Sequence, residues 1–244
     1  MATEVITRWR DWAATTGDEM TSAVVLMNYP PVDEVPEPLR GRSFVIVRGC
    51  WTGDLDAGRE LVDRWRAWRA PSVDLFGPMP FAAVDEISSD PVDPLPAKVT
   101  SEWFDVLADG AIDVLVESTV PGAGERPRLA FAEIRHAGGA IRSHASRAAN
   151  DRGRSGEFLL EMVGVAHDAE AAEALDDHLG ATRDALAPYV TGAAYLNLTD
   201  GHEKQERTPD AYSADHLARL RLVKAAVDPD DRFCHGFGLT AAAG

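Results

Sequence analysis

The sequence predicts an α+β fold, an antiparallel sheet with helices packed on one face. Two observations carry this reading. Proline-rich joints divide the chain into segments whose apolar residues recur at either helical or strand spacing. Strand-like runs also follow one another without an intervening helix, which indicates antiparallel pairing. The 244 residues supply material for one large domain or two small ones.

Val5, Ile6, Trp9, Trp12 and Ala13 lie at helical spacing and predict the first helix. Residues 23–28 and 43–50 are apolar, strand-sized runs. Between them Pro30, Pro31, Pro36 and Pro38 mark a connection, because proline lacks a backbone donor and fixes φ. Leu55, Leu61, Val62, Trp65 and Trp68 predict a helix capped by Asp54. Pro78, Pro80, Pro91, Pro94 and Pro96 form a second connection. Phe104, Leu107, Ala111, Val114 and Leu115 give a helical stripe interrupted at Gly110.

A joint at residues 121–127 precedes strands at 128–135 and 158–166. Leu175, Leu179 and Leu186 lie on a helix whose acidic face, from Glu170 to Asp177, is solvated. A strand at 193–198, a joint at 200–210 and a helix carrying Leu217, Leu220, Val223 and Val227, stopped by Pro229, complete the order. Trp9, Trp12, Trp65 and Trp68 are expected in the helix–sheet core.

Forty acidic against 24 basic residues leave a formal charge of −16. That balance argues against binding nucleic acid or an anionic membrane surface, both of which need clustered Lys and Arg. Cys50 and Cys234 are too few for a disulfide framework or a thiolate zinc site, and reduced thiols are expected. Residues 1–12 carry Glu4, Arg8, Arg10 and Asp11 without an apolar centre, unlike a signal peptide, so a cytoplasmic location is expected.

Common catalytic signatures fail. Gly122 and Gly124 are followed by a sequence that cannot open a phosphate-cradling helix, and Gly153 to Gly156 is one residue short of a nucleophile elbow. His202 to Glu206 has Glu where a zinc protease helix needs its second His. The seven histidines show no i, i+4 pair on a predicted helix, so no metal site is expected.

One stretch is more specific. Tyr195-Leu-Asn197 leaves a predicted strand, and Leu217 to Phe233 comes after it with the pattern RL, Lys224 and Asp228-Pro-Asp230 ahead of the Phe. Together they resemble the C-terminus of the FAD-linked oxidases related to berberine bridge enzyme. Gly138-Gly139-Ala140 and the strand from Phe158 to Gly164 resemble that family's substrate domain, as do Trp9 to Trp12 and Gly53-Asp54 near the start. The resemblance implies a cap domain of FAD-linked oxidases over residues 1–190, completed by a berberine-like segment over 191–244. It implies FAD as cofactor, bound mainly by a domain that precedes the cap in the family and is not in this chain. The partners would be that flavin-binding domain, upstream or on a separate chain, and a small organic substrate. In such enzymes the substrate's hydride passes to flavin N5, with oxygen expected to reoxidise the flavin.

By the same resemblance Asn197 lies beside the flavin, where an amide can both donate and accept; alternatively it bonds its own turn. Tyr195, two residues earlier on a strand, would share its face and either bound the substrate pocket or pack on the helices. Many family members carry a tyrosine base directly after this Asn. Leu198 stands there instead and has no proton to exchange. A base could then come from the sheet, where Leu129, Phe131, Glu133 and Arg135 alternate on one side and Glu157 and Glu161 share a side of the next strand. Glu133 and Glu161 are the candidates; the plainer alternative for each is a Glu paired with an Arg. The segment 148–154 keeps only Arg154 of the family's aromatic-x-His-Arg pattern, and Phe233 is read as a plug returning to the core. The rival reading is a free-standing α+β module that binds a ligand or protein without catalysis. A cap made for a flavin domain should expose an apolar sheet face on its own.

Overall fold

The structure, a computed structural model, describes residues 1–88, 93–237 and 239; Pro91 of the second proline cluster lies outside the described residues. The elements run α1 (Ala2–Ala13), β1 (Met20–Asn28), β2 (Ser43–Trp51), α2 (Leu55–Trp68), β3 (Ala97–Phe104), α3 (Asp109–Thr119), β4 (Phe131–His136) and α4 (Ala140–Ser143). They continue with β5 (Phe158–Val165), α5 (Ala169–Leu186), α6 (Glu203–Glu206) and α7 (Ala214–Val227). Five strands form one sheet in the order β2-β1-β4-β5-β3, and every neighbouring pair is antiparallel.

Side chains alternate across the sheet, so even and odd positions of β1 serve opposite faces. Val24, Leu26, Ala132, Ile134, Leu160 and Met162 point into a core shared with Ile6 and Trp9 of α1, Ile112 and Leu115 of α3, and Leu175 and Leu179 of α5. Trp9 is fully buried there and donates its indole N–H to Ser22 Oγ at 3.2 Å. Trp12 and Trp65 meet edge to face at the rim, while Trp68 lies half-buried beneath the guanidiniums of Arg8 and Arg69. Asp54 caps α2 as its position predicts, accepting from the amides of Asp56 and Ala57 at 3.0 Å.

Three segments depart from the sequence reading. Residues 97–104 form an edge strand, so Phe104 ends β3 and Leu107 belongs to a connection. Lys98, Thr100 and Glu102 alternate there with Ala97, Val99, Ser101 and Trp103. Gly110 is no interruption but sits in the first turn of α3, where a Cβ would come within 2.3 Å of Tyr189 Oη. Residues 193–198 enter no ladder: Tyr195 is extended, and Leu196–Leu198 is a single 3-10 turn.

The helix α7 forms where expected, yet none of its side chains is buried. Phe233 is 84% exposed rather than a core plug. The turn after α7 is built on Asp228, whose carboxylate accepts from the amides of Arg232 and Phe233 at 2.8 and 3.1 Å and from Lys224.

A candidate site on the open sheet face

The face away from the core is organised in rows that run across the strands. One row is apolar: Phe44, Met27, Phe131, Val163 and Val99. The next holds Ile46, Val25, Glu133, Glu161 and Ser101, and the third Arg48, Ala23, Arg135, Leu159 and Trp103. Two glutamates thus stand directly opposite each other on β4 and β5, a repulsive arrangement unless a cation lies between them.

Arg135 supplies that cation, donating from Nη2 to Glu133 Oε2 at 3.0 Å and to Glu161 Oε2 at 2.5 Å. Arg48 reaches over β1 to the same Glu133 carboxylate, at 2.7 Å from Nη2 and 3.3 Å from Nε. It can do so because the residue abreast of it on β1 is the small Ala23. Glu133 and Glu161 are 2% and 7% exposed, so the charges are removed from water and held by one another. The sheet face is therefore not the exposed apolar surface expected of an isolated cap. Val25 and Leu159 are buried, and the exposed apolar side chains lie instead at Leu75 and Phe81 before β3 and at Leu222 and Val227 on α7.

Residues 193–198 cross the end of this face. Trp103, Ala137, Leu159 and Ala193 form a second small core, with Tyr195 and Leu198 packed against it. The rings of Trp103 and Tyr195 meet edge to face at 6.0 Å. Asn197 is exposed on the 3-10 turn while Tyr195 is half-buried, so the two do not share one strand face. Leu129 is buried in the helix-side core, not on the open face. Glu157 lies before β5 and joins His136 Nε2 at 3.1 Å and Arg142 Nη1 at 2.5 Å. Burial opposes the charge of Glu157, but those two partners outweigh it and hold its pKa below the ordinary value.

A buried cluster fixes the crossing segment to the sheet edge. Arg207 donates to Ser101 O at 2.9 Å, Glu102 Oε2 at 3.0 Å and Ala193 O at 3.4 Å. Arg183 joins Glu102 and Glu203 at 2.9 and 3.0 Å. Burial opposes its charge, yet the two carboxylates raise its pKa. Arg48, Ser101, Trp103 and Arg207 belong to no motif that the sequence announces. The available signals were an arginine within the otherwise apolar 43–50 run and the alternation over 97–103.

The family model of berberine and berberine-like proteins matches residues 194–238. The whole chain superposes on a berberine bridge enzyme variant described as a reticuline dehydrogenase, with a TM-score of 0.74 and 14% identity, over 53% of that protein. It superposes with a TM-score of 0.70 on 6-hydroxy-D-nicotine oxidase of Arthrobacter nicotinovorans, at 16% identity, covering 98% of this chain and 50% of that one. BBE-like #28 of Arabidopsis thaliana matches at 0.65 and 14% identity, over 98% and 53%. The fold is that of berberine-bridge-type oxidases. The chain spans about half the length of these structures. No curated protein matches it in sequence.

Among the described residues the chain shows no binding site for FAD. Ser101 Oγ and Trp103 Nε1 are buried without a hydrogen-bond partner on the open face. They lie beneath the crossing segment, and two clefts among the described residues lie elsewhere, both open to solvent. Among the described residues no helix is long and apolar enough to cross a membrane, and no group of three His, Cys, Asp or Glu side chains could hold a metal ion.

Proposed function

We propose that this chain is the substrate-domain part of an FAD-dependent oxidoreductase that oxidises a small organic molecule, the flavin being held by polypeptide outside these residues. The observation that carries the reading is the superposition of the full chain on half of berberine bridge enzyme, together with the berberine-like match at 194–238. In the complete enzyme the flavin accepts the substrate's hydride and passes the electrons on, with oxygen the proposed acceptor. This chain's share is binding, orientation and electrostatics.

Residues 1–190 supply the sheet, and residues 191–244 begin with the segment that crosses it. Asn197 is proposed to meet the flavin's polar edge, its exposed amide being able both to donate and to accept. Tyr195, edge-on to Trp103, bounds the substrate side. The base is drawn from Glu133 and Glu161, since Leu198 cannot serve. Both carboxylates accept from Arg135, which fixes the direction in which each presents its oxygens.

The test is the native polypeptide: immunoprecipitation from source cells with an antibody to this chain, sizing, and a flavin assay. A flavin-bearing band well above 26.3 kDa, or a separate flavin protein co-precipitating with a 26.3 kDa band, supports the reading. A colourless 26.3 kDa band alone would transfer the case to a non-catalytic binding module, the alternative that Leu198 favours.

A further inference from the structure

The chain is acidic overall, yet residues 134–156 hold five arginines, at 135, 142, 147, 152 and 154, with two histidines and Asp151 as the sole acid. Arg135 and Arg142 are engaged by Glu133, Glu161 and Glu157. Asp151 is turned toward α7: its Oδ1 accepts from the Ser213 amide at 2.8 Å and lies 3.3 Å from His216 Nδ1. The positive charge of the remaining arginines is therefore not neutralised locally.

Two of those arginines, Arg147 and Arg154, line an open cleft of about 620 Å³ with Ile141, His144 and Asn150. Arg154 Nε donates to Asn150 Oδ1 at 3.2 Å, which fixes its guanidinium at the cleft wall. Arg147 has no side-chain hydrogen bond or ion pair among the described residues. Next to Arg154 in sequence, Gly153 packs so closely on the chain that a Cβ would come within 2.6 Å of Ala194 O. The size suits a small molecule rather than a polymer.

We infer that this cleft binds the anionic group of a small ligand, a carboxylate or a phosphate. Two guanidiniums line it with a histidine and an amide beside them, the donor set that planar oxyanions select. In a chain of −16, an unneutralised basic cleft is also where the field gathers anions that the rest of the surface repels. The inference does not depend on a flavin; that the anion belongs to the oxidised substrate would rest on the reading above.

Calorimetric titration of the chain with inorganic phosphate and with acetate, at low salt, tests it, with Arg side-chain NMR shifts as the local readout. Saturable binding is expected, with shifts at Arg147 and Arg154, and the tighter of the two anions identifies the preferred class. Arg147→Gln and Arg154→Gln should each weaken binding about tenfold. Arg147→Lys should retain part of it, and Arg59→Gln on α2 should change nothing. Absence of binding to either anion, or equal binding by the wild type and the Arg147→Gln/Arg154→Gln double variant with unchanged circular dichroism, would overturn the inference.

Discussion

Glu133 and Glu161 face each other across β4 and β5, and Arg135 holds both with one guanidinium nitrogen, at 3.0 and 2.5 Å. The middle of the open face is in effect an ion row of two buried carboxylates under a half-buried arginine, with Arg48 closing it from beyond β1. Such a row stabilises the fold little compared with an apolar one, but it is costly to break from one side.

Arg135→Met should therefore destabilise the protein by about 2 kcal/mol, because two carboxylates would remain opposed with the main cation between them gone. Denaturant unfolding measures it. Adding Glu161→Gln to the same chain should recover most of the loss, since the repulsion then disappears. A single-variant loss with no recovery in the double would show that Arg135 acts through packing instead.

Arg207 ties Ser101, Glu102 and Ala193 together, so Arg207→Ala should release the crossing segment more than the sheet. Removing one partner of a buried charge cluster costs about 3–5 kcal/mol. Hydrogen exchange should show faster exchange at Ala194 and Leu198, while the β1 and β4 amides keep their order of protection.

Gly153→Ala should destabilise by about 1–3 kcal/mol, since its methyl group would press on the carbonyl of Ala194, which is backbone and cannot swing aside. Thermal unfolding measures the change. A neutral result would mean that residues 152–154 lift away from Ala194 freely.

The pH dependence rests on Glu157, whose folded pKa lies below its ordinary value of 4.5 because His136 and Arg142 outweigh burial. A depressed carboxylate stabilises the fold fully above its unfolded pKa and loses that contribution as pH falls through the folded one. Stability should thus decline on acidification below 4.5, and Glu157→Gln should make that part of the profile shallower. Unfolding midpoints across the acid limb would reveal it; parallel profiles would exclude a role for Glu157.

Much of this fold was legible because its signals are local. The apolar runs at 23–28 and 43–50, the Asp54 cap and the α5 stripe each declare themselves within a few residues. The edge strand β3 was not, because Lys98 and Glu102 break up its apolar run and Phe104 lends itself to the helical stripe beyond it. Residues 193–198 misled in the opposite way: they are mostly apolar and strand-sized, but Leu196–Leu198 is a 3-10 turn and their partners are a tryptophan ring and an arginine rather than a strand. The α7 stripe carries helical periodicity without a surface to bury it, which periodicity alone cannot distinguish. Glu133 and Glu161 could be singled out as chemistry-bearing residues, but Arg48 meets Glu133 across 85 residues of sequence, and only strand register brings them together.

The outer margin of β3 has a further consequence. Its carbonyls at Ser101 and Trp103 are engaged by Arg207 and by the amide of Thr191, not by another strand. The segment from Thr191 to Arg207 thus works as a selvedge on the sheet. A protease that nicked the chain near residue 190 and freed its C-terminal part would uncover a bare strand margin, and such margins recruit strands from neighbouring molecules. Precipitation, rather than a smaller soluble fragment, is the fate that this architecture sets for a clipped chain.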